Sequence, residues 1–208
     1  AQVGLGVKVA AISTEFEQGK LLASSGDFDF AIQGDGFFMI QMPDGTTGYT
    51  RNGNFLMSVN DSGGVTLTTS DGYAVLDSNG KEISFDGNTD TAKLSFDDYG
   101  NIFYKNPQGV VVSTGIRIGA VQFNNPSGLL KLGDSYFAET AASGAARLEG
   151  QDAALKQSVI KNKYLEGSSV EAVDEMVDMI VTQRAYEMNS KAIQASDEML
   201  QQANNLRS

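Results

Sequence analysis

The residues that could carry out chemistry in this sequence are few, and the first candidate is a serine–lysine pair. Ser158 and Lys161 have the SxxK spacing in which a lysine can activate a serine nucleophile. The SDN and KTG motifs that accompany this pair in its enzyme class are missing from the chain. Because a serine nucleophile needs a base and an orienting group around it, we predict no acyl-transfer site here.

Two further stretches resemble ligand-binding loops. The GDG stretch at 34–36 has no GxGxxG or GxxxxGK[ST] continuation and lies between strand-like stretches, so it predicts a hairpin turn rather than a phosphate loop. Residues 77–82 (DSNGKE) resemble part of a calcium loop, but the spacing to a distal glutamate fails and an Asn-Gly turn explains them. The adjacent Asp97 and Asp98 lie beside a turn and are expected to be solvated.

The composition narrows the classes of function. The 208 residues contain no Cys and no His, which removes disulfides, thiolate nucleophiles and the imidazole that most often binds metals. The net charge of −11 argues against nucleic-acid binding, which needs clustered Lys and Arg. No apolar run is long enough to span a membrane. We therefore predict that the chain is not an enzyme, holds no cofactor or metal, and binds neither nucleic acid nor the membrane interior.

The stretch 27–150 has the pattern of short β-strands separated by turns. FDFAIQ (28–33) alternates apolar with polar or small residues and is followed by FFMIQM (37–42). Asp-Gly and Asn-Gly pairs, which suit tight hairpin turns, occur at 44–45, 52–53, 71–72, 79–80 and 86–87. The pattern predicts an antiparallel β-domain that folds on its own. Its expected core residues are Phe28, Phe30, Ile32, Phe38 and Ile40.

Two segments flank this domain. Residues 1–26 are rich in Gly and Ala, alternate weakly, and are predicted to form an extended N-terminal part. Residues 151–167 fit neither a helix nor a strand period, so we treat 151–208 as a linker followed by a helix. The predicted fold class is mainly β with a long C-terminal α-helix. In it, an antiparallel β-domain is inserted between terminal segments that form an extended and helical assembly layer.

A long helix is predicted from about Ser168 to the end of the chain. Ser168 and Glu171 have the spacing of a capping box. Apolar residues then recur every three or four positions and form a stripe, which we call the seam. The seam consists of Val173, Val177, Val181, Ala185, Met188, Ala192, Ala195, Met199 and Leu206. Ile180, Ile193 and Leu200 are expected to widen this face.

The seam could pack into a globular core of the same chain or against helices of other chains. The predicted helix measures roughly 55–60 Å at about 1.5 Å per residue. No other part of the sequence has the pattern of a long helix that could cover it. The small residues Ala185, Ala192 and Ala195 would permit close approach of neighbouring helices. We therefore predict that the seam is an assembly interface.

Several stretches resemble the bacterial flagellar axial proteins, the rod and hook group. Residues 165–201 (LEGSSVEAVDEMVDMIVTQRAYEMNSKAIQASDEMLQ) resemble the C-terminal segment of that group, and 183–201 are most similar to its distal-rod members. Residues 27–55 (DFDFAIQGDGFFMIQMPDGTTGYTRNGNF) resemble the stretch that opens its β-domain. Residues 2–9 and 124–140 are also similar to the group. Hook proteins resemble it too, but they carry a larger outer domain.

The resemblance implies a structural subunit of the distal rod of the flagellar basal body. Such subunits are exported unfolded and polymerise helically into a hollow driveshaft, which spans the periplasm and outer membrane and transmits torque to the hook. The implied partners are copies of the chain, proximal rod proteins, the hook or hook-junction protein and the surrounding ring bushing. Members of the group begin with an N-terminal helical segment, and the residues here start downstream of it. The resemblance implies that this segment pairs with the C-terminal helix in the innermost layer of the tube.

Two other functions stay open. A proximal rod or hook-type subunit would share this architecture and differ in its neighbours. A ligand- or glycan-binding β-domain would need a concave site with convergent polar groups, which no motif in the sequence indicates.

Overall fold

The computed structural model describes residues 8, 14–60, 62–87, 89–106, 108–152 and 155–205. Its elements are β1 (Leu21–Ala23), β2 (Phe30–Gln33), β3 (Phe37–Gln41), β4 (Thr47–Thr50), β5 (Phe55–Val59), β6 (Val65–Thr69), β7 (Ser84–Phe85), β8 (Leu94–Phe96), β9 (Asn101–Lys105), β10 (Val111–Arg117), β11 (Ala120–Gln122), β12 (Leu130–Gly133), β13 (Tyr136–Ala138), β14 (Arg147–Leu148), β15 (Val159–Asn162), β16 (Tyr164–Glu166) and α1 (Ala172–Asn205). The chain divides into two compact units, one ending at Gly167 and the other beginning at Ser168. The antiparallel strands and the long C-terminal helix confirm the predicted fold class.

The largest sheet has six strands and contains the β3–β4 hairpin. Its order is β12-β13-β4-β3-β11-β14, and its pairings are antiparallel. Phe38 lies opposite Thr50 and Ile40 lies opposite Gly48, which fixes the register of the β3–β4 hairpin. Two three-stranded sheets, β5-β6-β7 and β10-β9-β8, belong to the same unit.

Strands near the two ends of this unit pair with each other, although most of the unit's sequence lies between them. β1 pairs with β16, and β2 pairs with β15, where Ile32 lies opposite Ile160. The stretch 151–167, which fits no clear period, therefore contains two strands. Only Ile160 is fully buried among the four residues of β15, so the stretch shows little alternation.

The predicted domain limits can be compared with this division. The sequence pattern places the end of the β-domain at Gly150, whereas the division between the two compact units lies after Gly167. Of the predicted N-terminal part, residues 1–7 and 9–13 lie outside the described residues, and Leu21–Ala23 form β1.

The core of the β unit consists of two clusters of buried side chains. Four of the five expected core residues, Phe30, Ile32, Phe38 and Ile40, are fully buried, and Phe28 is half-buried. The first cluster is Phe30, Ile32, Phe38, Phe55, Leu67, Val75, Ile83, Ile102, Ile118, Ala120 and Ile160. The second cluster is Phe37, Met39, Tyr49, Leu76, Val121, Phe123 and Phe137. Burying a side chain of this size stabilises the fold by about 1.5–3 kcal/mol.

The glycine turns are of two kinds. Gly45, Gly72 and Gly80 have positive φ, as the predicted tight turns require. Gly53 is needed for a different reason, because a Cβ there would lie 1.9 Å from the carbonyl oxygen of Phe30. The GDG stretch at 34–36 is not a hairpin turn as predicted, since β2 and β3 pair with different strands and the stretch carries the chain from one sheet to another.

Candidate assembly surface

The serine–lysine pair is part of the architecture of the β unit. Ser158 is buried and donates hydrogen bonds to the Glu149 carboxylate from both its backbone N–H and its hydroxyl, each at 2.7 Å. The Lys161 ammonium instead pairs with Asp98 at 3.0 Å. The two side chains are therefore engaged by different carboxylates, and this arrangement holds strands rather than activating a nucleophile.

The calcium-like stretch 77–82 forms a hydrogen-bonded turn. Asp77 Oδ1 accepts from the backbone N–H groups of Asn79 at 2.7 Å and Lys81 at 2.9 Å, so this carboxylate shapes the turn. Within the ranges that the structure describes, no group of three or more Asp, Glu, His or Cys side chains is placed to hold a metal ion.

The acidic pair beside the β8–β9 turn is solvated only in part. Asp98 is exposed, whereas Asp97 is half-buried and accepts from the backbone N–H groups of Tyr99 and Asn101. Burial would raise the pKa of Asp97, but hydrogen bonds from Asn101 and Tyr99 outweigh it and lower the pKa below its ordinary value. This carboxylate therefore shapes a turn, and the expectation of a solvated pair is wrong for Asp97.

The helix that carries the seam begins later than predicted. α1 has 34 residues, which gives it a length of about 50 Å at 1.5 Å per residue. The carbonyl oxygen of Glu171 accepts from the backbone N–H groups of Asp174 and Glu175, so the helical bonds start there. The Ser168 hydroxyl accepts from the N–H of Val170 in a local turn ahead of the helix. The capping-box prediction is therefore wrong, because Ser168 lies too far from the first turn.

The described seam residues all lie on α1 and are exposed in this chain. The exposed fraction is 71% for Val173, 61% for Val181 and 65% for Met188. Val177, Ala185, Ala192, Ala195 and Met199 are also exposed. Leu206 lies outside the described residues. An apolar stripe of this extent offers a surface on which another helix can pack.

A second apolar row on α1 was missed by the sequence analysis. Met179, Tyr186, Ile193 and Leu200 follow one another at intervals of seven residues. With about 3.6 residues per turn, the centre of this row lies roughly 145° around the helix from the centre of the seam. The prediction that Ile193 and Leu200 widen the seam is therefore wrong, and the interval of seven is the signal that would have separated them.

No helix in the described part of the chain combines the length and apolarity needed to cross a membrane.

Two families of known proteins match this chain. Residues 31–104 match the family described as flagellar hook protein FlgE/F/G D1 domain. Residues 161–206 match the family described as flagellar basal body rod FlgEFG protein C-terminal. The first match extends from β2 to β9, and the second extends from the end of β15 through β16 and α1.

Relatives match along nearly the whole chain. The flagellar basal-body rod protein FlgG of Borreliella burgdorferi is 41% identical over 99% of this chain and 74% of its own length. The FlgG proteins of Bacillus subtilis and Caulobacter vibrioides are 38% and 39% identical, each over 75% of their own length. The chain therefore belongs to the FlgG family of flagellar basal-body rod proteins, which are structural subunits of the distal rod of the bacterial flagellum.

Proposed function

We propose that the chain polymerises with copies of itself through the seam of α1, and that this contact builds the hollow helical rod. The observation that carries the proposal is the exposure of apolar side chains along 34 residues of helix. Transfer of apolar surface out of water stabilises by about 25 cal/mol per Å². A helical polymer repeats the same burial in each subunit, so a long seam on every copy supports a stiff, continuous wall.

The small residues of the seam support close packing. Ala185, Ala192 and Ala195 lie on the same stripe as Val181 and Met188, so small side chains lie next to larger ones in its middle part. Facing helices interdigitate where large side chains meet small ones. This composition suits a helix–helix contact better than contact with an irregular loop surface.

The place of the family in the flagellum supports a proposal for the remaining partners. We propose that the polymer meets proximal rod proteins at one end and the hook or hook-junction protein at the other, and that a ring bushing surrounds it. The work of such a rod is transmission of torque, which needs repeated interfaces and no turnover. The hydrogen bonds that engage Ser158, Lys161 and Asp77 support a structural role for the motifs that most resemble chemical sites.

Electron microscopy of basal bodies from a deletion strain tests the proposal. We expect rods that end before the outer membrane and regain their full length when the gene is restored. Full-length rods in the deletion strain would contradict a role as the distal rod subunit. Rods that are missing altogether would instead place the chain in the proximal rod.

A further inference from the structure

Most of the sulfur atoms of this chain lie on the surface of α1. The sequence has no Cys and 7 Met, and α1 carries Met176, Met179, Met188 and Met199. Their side chains are 61% to 69% exposed. Met39, in contrast, is 8% exposed and belongs to the second core cluster. An oxidant dissolved in water therefore reaches the four thioethers of α1 far more easily than the thioether of Met39.

Only two of these four methionines belong to the seam. Met188 and Met199 are 11 residues apart, which places them within about 20° of each other on a helix of about 3.6 residues per turn. By the same geometry, Met179 lies about 180° and Met176 about 120° around the helix from Met188. The four thioethers are equally open to water but point to different sides of α1. Oxidation on the seam can therefore be separated from oxidation elsewhere on the helix.

The chemical step needs only a peroxide. A lone pair of the thioether sulfur attacks one oxygen of hydrogen peroxide, an S–O bond forms and the O–O bond breaks. The proton of the transferred oxygen passes to the leaving hydroxide, which departs as water. Sulfur is oxidised and the peroxide is reduced. The product, methionine sulfoxide, is polar and chiral, whereas the thioether is apolar and flexible.

A sulfoxide on the seam removes the property that favours its burial. The seam residues one turn from Met188 are Ala185 and Ala192, and neither side chain can donate a hydrogen bond to the new oxygen. Side chains that can donate, such as Lys191 and Ser196, lie beside the seam. A polar group that leaves water without a hydrogen-bond partner destabilises the contact that buries it. Oxidation of the seam methionines therefore opposes contact of the seam with another helix.

We propose that Met188 and Met199 form a redox-sensitive site, at which oxidation by a peroxide keeps the free subunit from polymerising. The inference rests on the proposed function, since a sulfoxide on the seam has this effect only where the polymer buries the seam. Assembly in turn shields both thioethers from the oxidant. Methionine sulfoxide reductases convert the sulfoxide back to the thioether, so the block is reversible.

Treatment of the unassembled full chain with hydrogen peroxide tests the proposal. Peptide mass spectrometry measures oxidation at each methionine, and sedimentation measures the concentration needed for polymerisation. We expect Met188 and Met199 to be oxidised before Met39, and that concentration to rise at least about 10-fold, as after loss of an interface contact. Two reductases, one for each sulfoxide epimer, should then restore it. Normal polymerisation of the oxidised chain, or no recovery after reduction, would overturn the proposal.

Leucine substitutions assign the effect to the seam. Met188→Leu combined with Met199→Leu keeps size and apolarity but has no sulfur to oxidise, so it should polymerise like the unsubstituted chain before and after peroxide treatment. The matched control, Met176→Leu with Met179→Leu, should stay sensitive because its substitutions lie off the seam. A peroxide-sensitive seam variant would overturn the proposal.

A charge substitution separates this inference from the proposed function. Normal polymerisation of the oxidised chain together with blocked polymerisation of Ala192→Glu would overturn the redox-sensitive site and keep the seam as the interface. Normal polymerisation of both the oxidised chain and Ala192→Glu would overturn the proposed function as well.

Discussion

Arg51 and Glu166 form a two-pronged ion pair inside the β unit. The Nε and Nη2 atoms of Arg51 lie 2.8 and 3.0 Å from the two carboxylate oxygens of Glu166, and the side chains are only 16% and 12% exposed. Nη1 also donates to the carbonyl oxygens of Gly34 and Gly36, each at 2.9 Å. Glu166 accepts further from the side-chain amide of Gln18. This ion pair and its hydrogen bonds therefore join the GDG stretch at 34–36 to β16, the last strand of the unit.

Loss of this arginine should destabilise the β unit strongly. Arg51→Gln leaves the Glu166 carboxylate buried without its cation, which costs about 3–5 kcal/mol when one partner of a buried pair is removed. Denaturant unfolding followed by tyrosine fluorescence would measure the change. Because the penalty comes from the orphaned carboxylate, adding Glu166→Gln to Arg51→Gln should recover part of the loss.

A more exposed ion pair supplies the control for this experiment. Arg147 and Asp152 also pair through two guanidinium nitrogens, but their side chains are 34% and 36% exposed. Exposed pairs contribute about 0–1 kcal/mol because water screens them. Equal losses for Arg147→Gln and Arg51→Gln would show that burial of the Arg51 pair has no special effect.

The β unit should need its last two strands to fold. Ile160 is 2% exposed, lies in the first core cluster and pairs with Ile32 across β15 and β2. We expect a fragment of residues 14–167 to unfold cooperatively, whereas 27–150, the domain predicted from the sequence, should not. Ile160→Ala in the longer fragment should cost about 2–5 kcal/mol. Circular dichroism during thermal unfolding compares the fragments, and a stable 27–150 would contradict the role given to β15.

The β unit should lose stability in alkali. Burial, and then the nearby Glu139 carboxylate, raise the pKa of Tyr49 to about 12. Burial, and then the hydrogen bond donated to Asp71, raise the pKa of Tyr136 to about 12. In the unfolded chain these phenols ionise near 10, so their contribution is fully present below about pH 10 and is lost as the pH rises towards 12.

The tyrosine prediction is checked by urea unfolding at about pH 9 and about pH 11. We expect the midpoint to fall at the higher pH, and to fall less in Tyr136→Phe, which has no phenol to ionise. Tyr99 is 52% exposed and provides the matched control, since Tyr99→Phe should keep the full fall. A midpoint that is the same at both values of pH would contradict the proposed cause.

Local patterns predicted the elements of this chain better than its long-range pairings. The alternation in 28–33 identified Phe30 and Ile32 correctly as core residues, but Ala31 between them is fully buried too, so this strand is covered on both faces. The pairing of β1 with β16 joins residues such as Leu22 and Leu165, and no periodic signal connects positions so far apart. The same limit explains why the sequence pattern ends the β-domain at Gly150, whereas the division between the two compact units lies after Gly167.

Two further features could be explained only from the three-dimensional structure: why Gly53 must be a glycine, and why the second apolar row is separate from the seam. Asn52-Gly53 has the composition of a tight turn, yet Gly53 is required by the closeness of the Phe30 carbonyl. Ile193 and Leu200 fit a general apolar helix pattern, but their angular position separates them from the seam. In both cases the sequence pattern predicted the local structure, a turn or an apolar helix. The role of each residue followed only from its position in three dimensions.

A charge in the middle of the seam should abolish assembly without unfolding the β unit. Ala192 lies on the same stripe as Met188, Ala195 and Met199, where a small residue permits close approach of a neighbouring helix. In Ala192→Glu the carboxylate would be buried without a partner, at an effective cost of several kcal/mol per interface, and the polymer repeats that cost in every subunit. We therefore expect no filaments and no motility, as measured by electron microscopy and swimming assays.

The control Glu198→Gln, off the centre of the seam, should assemble normally. Normal swimming and full-length rods in Ala192→Glu would mean that the seam faces water.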